Sequence, residues 1–131
     1  MIMPFTRQKA RHLRLGRRGE NVAARLLQEL GLDILVRNYT TGRGELDIVA
    51  REGLLLCFVE VKTRHRVILS RPSDAVGFHK KQQIIRTAKE YLSELNNPRI
   101  NYRFDIIEAV IRGPVIDELR YIRDAFHEND I

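Results

Sequence analysis

Cysteine is almost absent from this sequence: Cys57 is the only one among 131 residues. No intramolecular disulfide is possible, a thiolate zinc centre has no second cysteine, and a reducing compartment is the natural setting. Cys57 itself sits in an apolar run and reads as a core residue. No apolar stretch approaches membrane-spanning length, and the basic N-terminus is not followed by an apolar segment of signal-peptide length. The expectation is a soluble, cytoplasmic protein with no membrane contact. Internal repeats and low-complexity tracts are also missing, and the length suits one domain with a real core. The spacing of His65 and His79 matches no zinc-ligand pair, so zinc is not expected.

What the chain has in excess is positive charge, +6 overall, and its distribution matters more than its sum. Residues 1–19 carry six basic side chains (Arg7, Lys9, Arg11, Arg14, Arg17 and Arg18) and no acidic one, while the remainder balances 17 basic against 17 acidic residues. Such a stretch suits a polyanion, most simply nucleic acid, although a solvated basic tail has the same composition. A second basic region runs from Lys62 to Lys81, with six basic residues and one acid, Asp74. From Asp105 onward acids outnumber bases seven to three, so this end is expected to face away from a nucleic acid.

Apolar periodicity supplies the elements. Val22, Ala23, Leu26, Leu27 and Leu30 predict a helix from about Gly16 to Leu30, closed by Gly31. A short strand follows at 33–39, and then a hairpin from Gly44 to Arg64 with its turn at Glu52-Gly53. A helix from about Lys80 to Leu95 ends at Asn96-Asn97-Pro98, and strands at 101–111 and 115–122 flank Gly113-Pro114. The expected boundaries are a basic arm at 1–15, one domain at 16–126 and a tail at 127–131. An α/β sandwich is expected, with a mixed sheet around the hairpin and both helices packed on it.

The hairpin carries the chemistry. Alternation places Leu46, Ile48 and Ala50 on one face of its first strand, with Glu45, Asp47 and Val49 on the other. The second strand is apolar on both faces until Glu60, as a central buried strand would be. A two-residue loop pairing Arg51 with Leu54 would set Asp47 opposite Phe58 and Glu60 one diagonal step away, with Lys62 on the same face. Carboxylates at that diagonal separation, roughly 7–8 Å at the backbone, can close around one divalent cation. Two acids and a lysine at the end of a buried strand are costly without such a partner.

Asp47, followed 13 positions later by Glu60-Val61-Lys62, resembles the active-site signature of the PD-(D/E)XK nuclease superfamily. Within it, the GELDIVA and FVEVKTR segments, Gly19-Glu20 and Arg103-Phe104-Asp105 look like the YraN family, small bacterial proteins similar to Holliday-junction resolvases. The resemblance covers roughly Gly16 to Phe126. It implies a restriction-endonuclease-like three-layer sandwich, with a mixed central sheet flanked by helices. It also implies a metal-dependent endonuclease acting on branched or structured DNA, and is compatible with a homodimer.

On that reading Asp47, Glu60 and the Val61 carbonyl hold Mg²⁺ or Mn²⁺, hard cations that select oxygen ligands. In the resembled family a glutamate at the place of Glu20 lines the metal site; by itself Glu20 equally suits a helix N-terminus. Asp47, Glu60 and Lys62 form the expected catalytic set, Lys62 orienting or deprotonating the water and touching the phosphate. Arg14, Arg17, Arg18, Arg43, Arg64, Arg66, Lys80 and Lys81 are the expected nucleic-acid contacts. Two other readings fit the same residues. One is a nucleic-acid-binding module that keeps the fold without cutting. The other is a basic structural protein in which Asp47, Glu60 and Lys62 form an ion-pair network.

Overall fold

Five strands and two long helices alternate along the chain in the order α1 (Pro4–Glu29), β1 (Asp33–Thr41), β2 (Gly44–Glu52), β3 (Leu55–His65), α2 (Phe78–Glu94), β4 (Tyr102–Arg112) and β5 (Val115–Phe126), with a short 3-10 turn at Glu128–Asp130. The structure is a computed structural model and describes residues 4–65 and 76–130, with side chains from Arg17 onward. Helix α1 begins at Pro4 rather than near Gly16, so the helix extends back through much of the basic stretch. A proline is tolerated there because the first-turn N–H groups have no helical acceptor.

Both helices stop by the same device. At the end of α1 the Leu32 amide donates to the Leu27 carbonyl and the Gly31 amide to Gln28, while Gly31 takes φ 93°. The Leu32 and Leu27 side chains then meet in one core cluster, which completes a Schellman motif. Helix α2 repeats it with Asn97 donating to Leu92 and Asn96 to Ser93, Asn96 standing in for glycine at φ 63°.

The strands lie in the sheet in chain order, β1-β2-β3-β4-β5, every neighbouring pair antiparallel except β3 and β4. That one parallel pair needs a crossover, and α2 lies within it. β3 is therefore the central strand, as its unbroken apolar run from Leu55 to Val59 implies. Ala23, Ala24 and Leu27 of α1 pack on one face against Ile48, Ala50, Cys57, Val59 and Ile107. Ile84, Ile85, Ala88 and Leu92 of α2 pack on the other face against Leu46, Val49, Phe58, Phe104 and Ile106. The fold is α/β, a mixed five-stranded sheet with one helix on each face, in three layers.

Close approaches set how each helix sits. A Cβ at Gly19 would lie 2.8 Å from Thr63 Oγ1 and 3.6 Å from Ala109 Cβ, so α1 rests directly on β3 and β4 there. A Cβ at Gly44 would come within 2.5 Å of Gln83 Cγ, so the start of β2 is held against the first turns of α2. These two contacts bring Glu20, the beginning of β2 and the N-terminus of α2 toward the same end of β3.

Candidate functional site

The central hairpin closes with a different loop from the one the sequence suggested. Glu52 pairs with Leu55, leaving Gly53 and Leu54 as the two-residue loop, with Gly53 at φ 62°. Glycine with positive φ at the first loop position suits the tight turns that match strand twist. The register consequently differs by two residues from the expected one. Val49 pairs with Phe58 and Ile48 with Val59, so continuing the ladder brings Asp47 across from Glu60 instead of Phe58. The register therefore sets the two acids across from each other rather than on a diagonal.

At Asp47 the sheet parts on the β3 side, while on the β1 side the ladder misses one position and resumes at Tyr39–Leu46. Pairing of β2 with β3 stops at Ile48, and the β1–β2 ladder skips the position where Asn38 would meet Asp47. Asn38 has φ 53° there, a conformation asparagine accepts more readily than most residues. The core clusters correct a second expectation. Leu46 does not share a face with Ile48 and Ala50; it joins Val49 in the cluster under α2.

Where the ladder ends, the Asp47 side chain takes over from the backbone: its Oδ2 accepts the Val61 amide at 2.8 Å. Glu60 lies alongside, its side chain only 7% exposed, and Asp47 and Glu60 line one small crevice with Leu46, Phe58 and Ile84. Burial and then the neighbouring Asp47 carboxylate push the Glu60 carboxyl up from the ordinary 4.5 to about 9. Glu60 Oε2 is buried with no hydrogen-bond partner among the described residues. Among the described residues the cation paired with it is Lys80 of α2, whose Nζ is 3.6 Å away, outside hydrogen-bond reach.

The expected residues are brought together unequally. Lys62 is exposed two residues beyond Glu60, on the same strand face by alternation. Glu20 is half-buried, and its carboxyl is raised by burial and then by Asp47, so it shares the field of the pair. Among the described residues, however, no three His, Cys, Asp or Glu side chains converge as a ready metal-holding group. The donors present still fit a hard divalent cation. Two carboxylates meet, one has an orphaned buried oxygen, and the backbone beside them at Val61 offers a carbonyl.

The expected basic contacts also divide. Arg17 and Arg18 are exposed, and Arg18 donates to the Pro114 carbonyl at 3.0 Å. Lys80 is 44% exposed; Lys81 is half-buried over the Phe126 ring. Arg43 pairs with Glu90 at 2.8 Å while remaining largely exposed. Arg64 corrects the expectation most clearly. It is buried, and its guanidinium donates to Glu108 at 3.2 Å instead of meeting solvent. Glu108 is fully buried and also accepts from Arg120 at 3.2 Å. Alternation could not expose this trio, because its members come from three strands. The Arg14 side chain and Arg66 lie outside the described residues.

Asp105 is bound entirely within the fold. It accepts from Arg103 Nε at 2.9 Å, from the Tyr121 hydroxyl at 2.6 Å and from the Asp124 amide at 2.9 Å. It is a structural knot between β4 and β5.

The sequence matches the model of "Uncharacterised protein family UPF0102" over residues 19–109. The chain belongs to the UPF0102 family. A UPF0102 protein of Syntrophotalea carbinolica is 50% identical over 101 residues, covering 77% of this chain and 82% of the relative. One from Rhodococcus opacus is 40% identical over 117 residues, covering 89% and 99% respectively. One from Chlorobaculum parvum is 41% identical over 118 residues, covering 86% and 91%. The UPF0102 span begins and ends at Gly19 and Ala109, the pair that meets where α1 rests on the sheet. It encloses Glu20, Asp47, Glu60, Lys62 and Lys80. No helix among the described residues of this UPF0102 chain is long and apolar enough to cross a membrane.

Proposed function

We propose that this protein is a metal-dependent nuclease of the PD-(D/E)XK kind, an endonuclease hydrolysing phosphodiester bonds in branched or structured DNA. The observation that carries the reading is the Asp47–Glu60 pair at the parting of β2 and β3, with Glu60 Oε2 buried and without a hydrogen-bond partner among the described residues. A buried oxygen of this kind is costly unless a cation completes it. Asp47 and Glu60, with the Val61 carbonyl, would hold Mg²⁺ or Mn²⁺, and Glu20 would add charge from α1. The ion, when bound, supplies Lewis acidity that generates a nucleophile from water near neutral pH and offsets charge on the transferring phosphate.

The chain's own residues do the rest. Asp47 is oriented by the Val61 amide, which takes one of its two carboxylate oxygens. Lys62, exposed on the same strand face, orients the attacking water and meets a non-bridging phosphate oxygen. Arg17, Arg18, Lys80 and Lys81 supply positive charge for the DNA backbone, contacts that position without reading sequence. Arg64 has no part in this surface.

A second reading is a nucleic-acid-binding module that keeps this fold without cutting, favoured by the absence of a third ligating side chain beside the pair among the described residues. Purified protein assayed on junction, flap, nicked, single-stranded and RNA substrates in Mg²⁺, Mn²⁺ and EDTA separates the two. Cleavage that needs the metal and Asp47 supports the nuclease; metal-dependent binding with no cleavage supports the module.

A further inference from the structure

Lys80 is misplaced by ordinary helix rules. It lies in the first turn of α2, where the helix dipole disfavours a cation, and neither an acidic residue in that turn nor a side-chain cap at Gly77 offsets it. What its ammonium faces instead is the orphaned oxygen of Glu60, at 3.6 Å. Gln83 supports it from one turn on, accepting from Lys80 Nζ at 3.4 Å. Gln83 is in turn pressed over Gly44, where no side chain could stand. The start of β2, the first turn of α2 and the carboxylate at the end of β3 are thus joined through one lysine.

The contact is loose. A hard divalent ion sits about 2.0–2.6 Å from its oxygen ligands, whereas Lys80 stands off beyond hydrogen-bond distance and is 44% exposed. It stands beside the Glu60 oxygen without filling the oxygen's coordination. Its flexible stem can swing outward, and the α2 N-terminus beside it presents unpaired amides to an anion.

We propose that Lys80 is a placeholder for the metal: it faces Glu60 in the metal-free protein and is displaced by the ion to a non-bridging oxygen of the bound phosphodiester. The inference rests on the nuclease-like reading of the site and adds a positioning residue from outside the hairpin. Removing Lys80 removes the ion's competitor, so metal binds more tightly. It also removes a phosphate contact that is released only when metal is present, so metal and DNA assist each other less.

The test uses the full chain, with Mn²⁺ alone as the first probe, followed by electron paramagnetic resonance. Lys80→Met is expected to bind Mn²⁺ about two- to fivefold more tightly than wild type, the scale of one partly exposed ion pair. Lys80→Arg, which keeps the charge, is expected to stay near wild type. In a second arm, affinity for a fluorescent DNA junction is measured with and without Ca²⁺, and the gain conferred by Ca²⁺ is expected to shrink in Lys80→Met. Unchanged or weaker Mn²⁺ binding by Lys80→Met of native circular dichroism overturns the placeholder role, as does an undiminished Ca²⁺ gain. If wild type and Asp47→Asn alike take up no Mn²⁺, the metal site itself is absent and both readings fall. If wild type binds Mn²⁺ and Lys80→Met matches it, only the placeholder fails.

Discussion

Asp47 Oδ2 accepts the Val61 amide at 2.8 Å, a side chain standing where the β2–β3 ladder has already ended. One carboxylate oxygen is committed to the backbone; under the proposed function the other is the one that holds the metal. Asp47→Asn keeps a carbonyl acceptor for Val61 and removes only the charge. It should fold with a melting temperature close to wild type while losing metal-dependent cleavage. Asp47→Ala should lose cleavage too, and about 1–2 kcal/mol of stability in addition, because the part-buried amide loses its acceptor. Thermal melts alongside cleavage assays check both variants. Cleavage by Asp47→Asn at the wild-type rate would falsify the role of this carboxylate.

Much of this arrangement was legible in the residues. Apolar periodicity marks both helices and the half-buried strands, and β3 is legible instead from its unbroken apolar run, because it is buried on both faces. The acid pair was legible because charges are rare at the end of a buried strand. The register was not, since it depends on Gly53 rather than Glu52 opening the loop, and both loops have two residues. Nor was the face of Leu46, which packs with Val49 rather than with Ile48 and Ala50. Arg64 looked like surface charge because its carboxylate partner lies 44 positions away.

The approach of Gly44 to α2 gives a steric test of how the site is assembled. A methyl group there would meet Gln83 Cγ at 2.5 Å and Thr87 Oγ1 at 2.9 Å. Gly44→Ala should therefore push the start of β2 off α2 and destabilise the fold by about 1–3 kcal/mol, the usual range for overpacking. Because Gln83 also contacts Lys80, metal affinity should change in the same variant. Chemical denaturation and a Mn²⁺ titration measure the two effects; a stable variant with Gln83 undisturbed would show that the contact relaxes freely.

Glu108 is in register with Lys62 and is buried between Arg64 and Arg120. Deleting the acid of a buried ion-pair group is more damaging than never having had it, since the cations lose a partner they cannot exchange for water. Glu108→Leu should cost roughly 3 kcal/mol, read as a lower denaturation midpoint. Arg120→Leu should cost less, because Arg120 is 35% exposed and Glu108 retains Arg64. Equal losses would argue that Arg120, not Arg64, dominates the group.

Removal of residues 1–15 takes away Arg7, Lys9, Arg11 and Arg14. If these meet DNA phosphates, the slope of log affinity against log salt should fall by up to about 0.9 for each lost contact on duplex DNA. Cleavage at low salt should persist, because Asp47, Glu60 and Lys62 remain. Binding measured across a salt series decides it, and an unchanged slope would place the DNA elsewhere on the surface.

The last prediction concerns protons at Glu60. Its carboxyl is raised from 4.5 to about 9 by burial and by Asp47, so between those values the native state holds a proton that the unfolded chain has released. Stability follows the difference in bound protons, and here the native state binds more, so stability falls as pH rises through the window. Glu60→Gln has no such proton to lose. In EDTA its melting temperature should therefore gain on wild type steadily from pH 5 to pH 9. Addition of Mg²⁺ should reverse the trend for wild type alone, because a cation that binds the ionised pair offsets the repulsion that made ionisation unfavourable. Parallel pH profiles for the two proteins in EDTA would mean that Glu60 ionises normally in the fold, and that the charge crowding beside Asp47 is weaker than its burial implies.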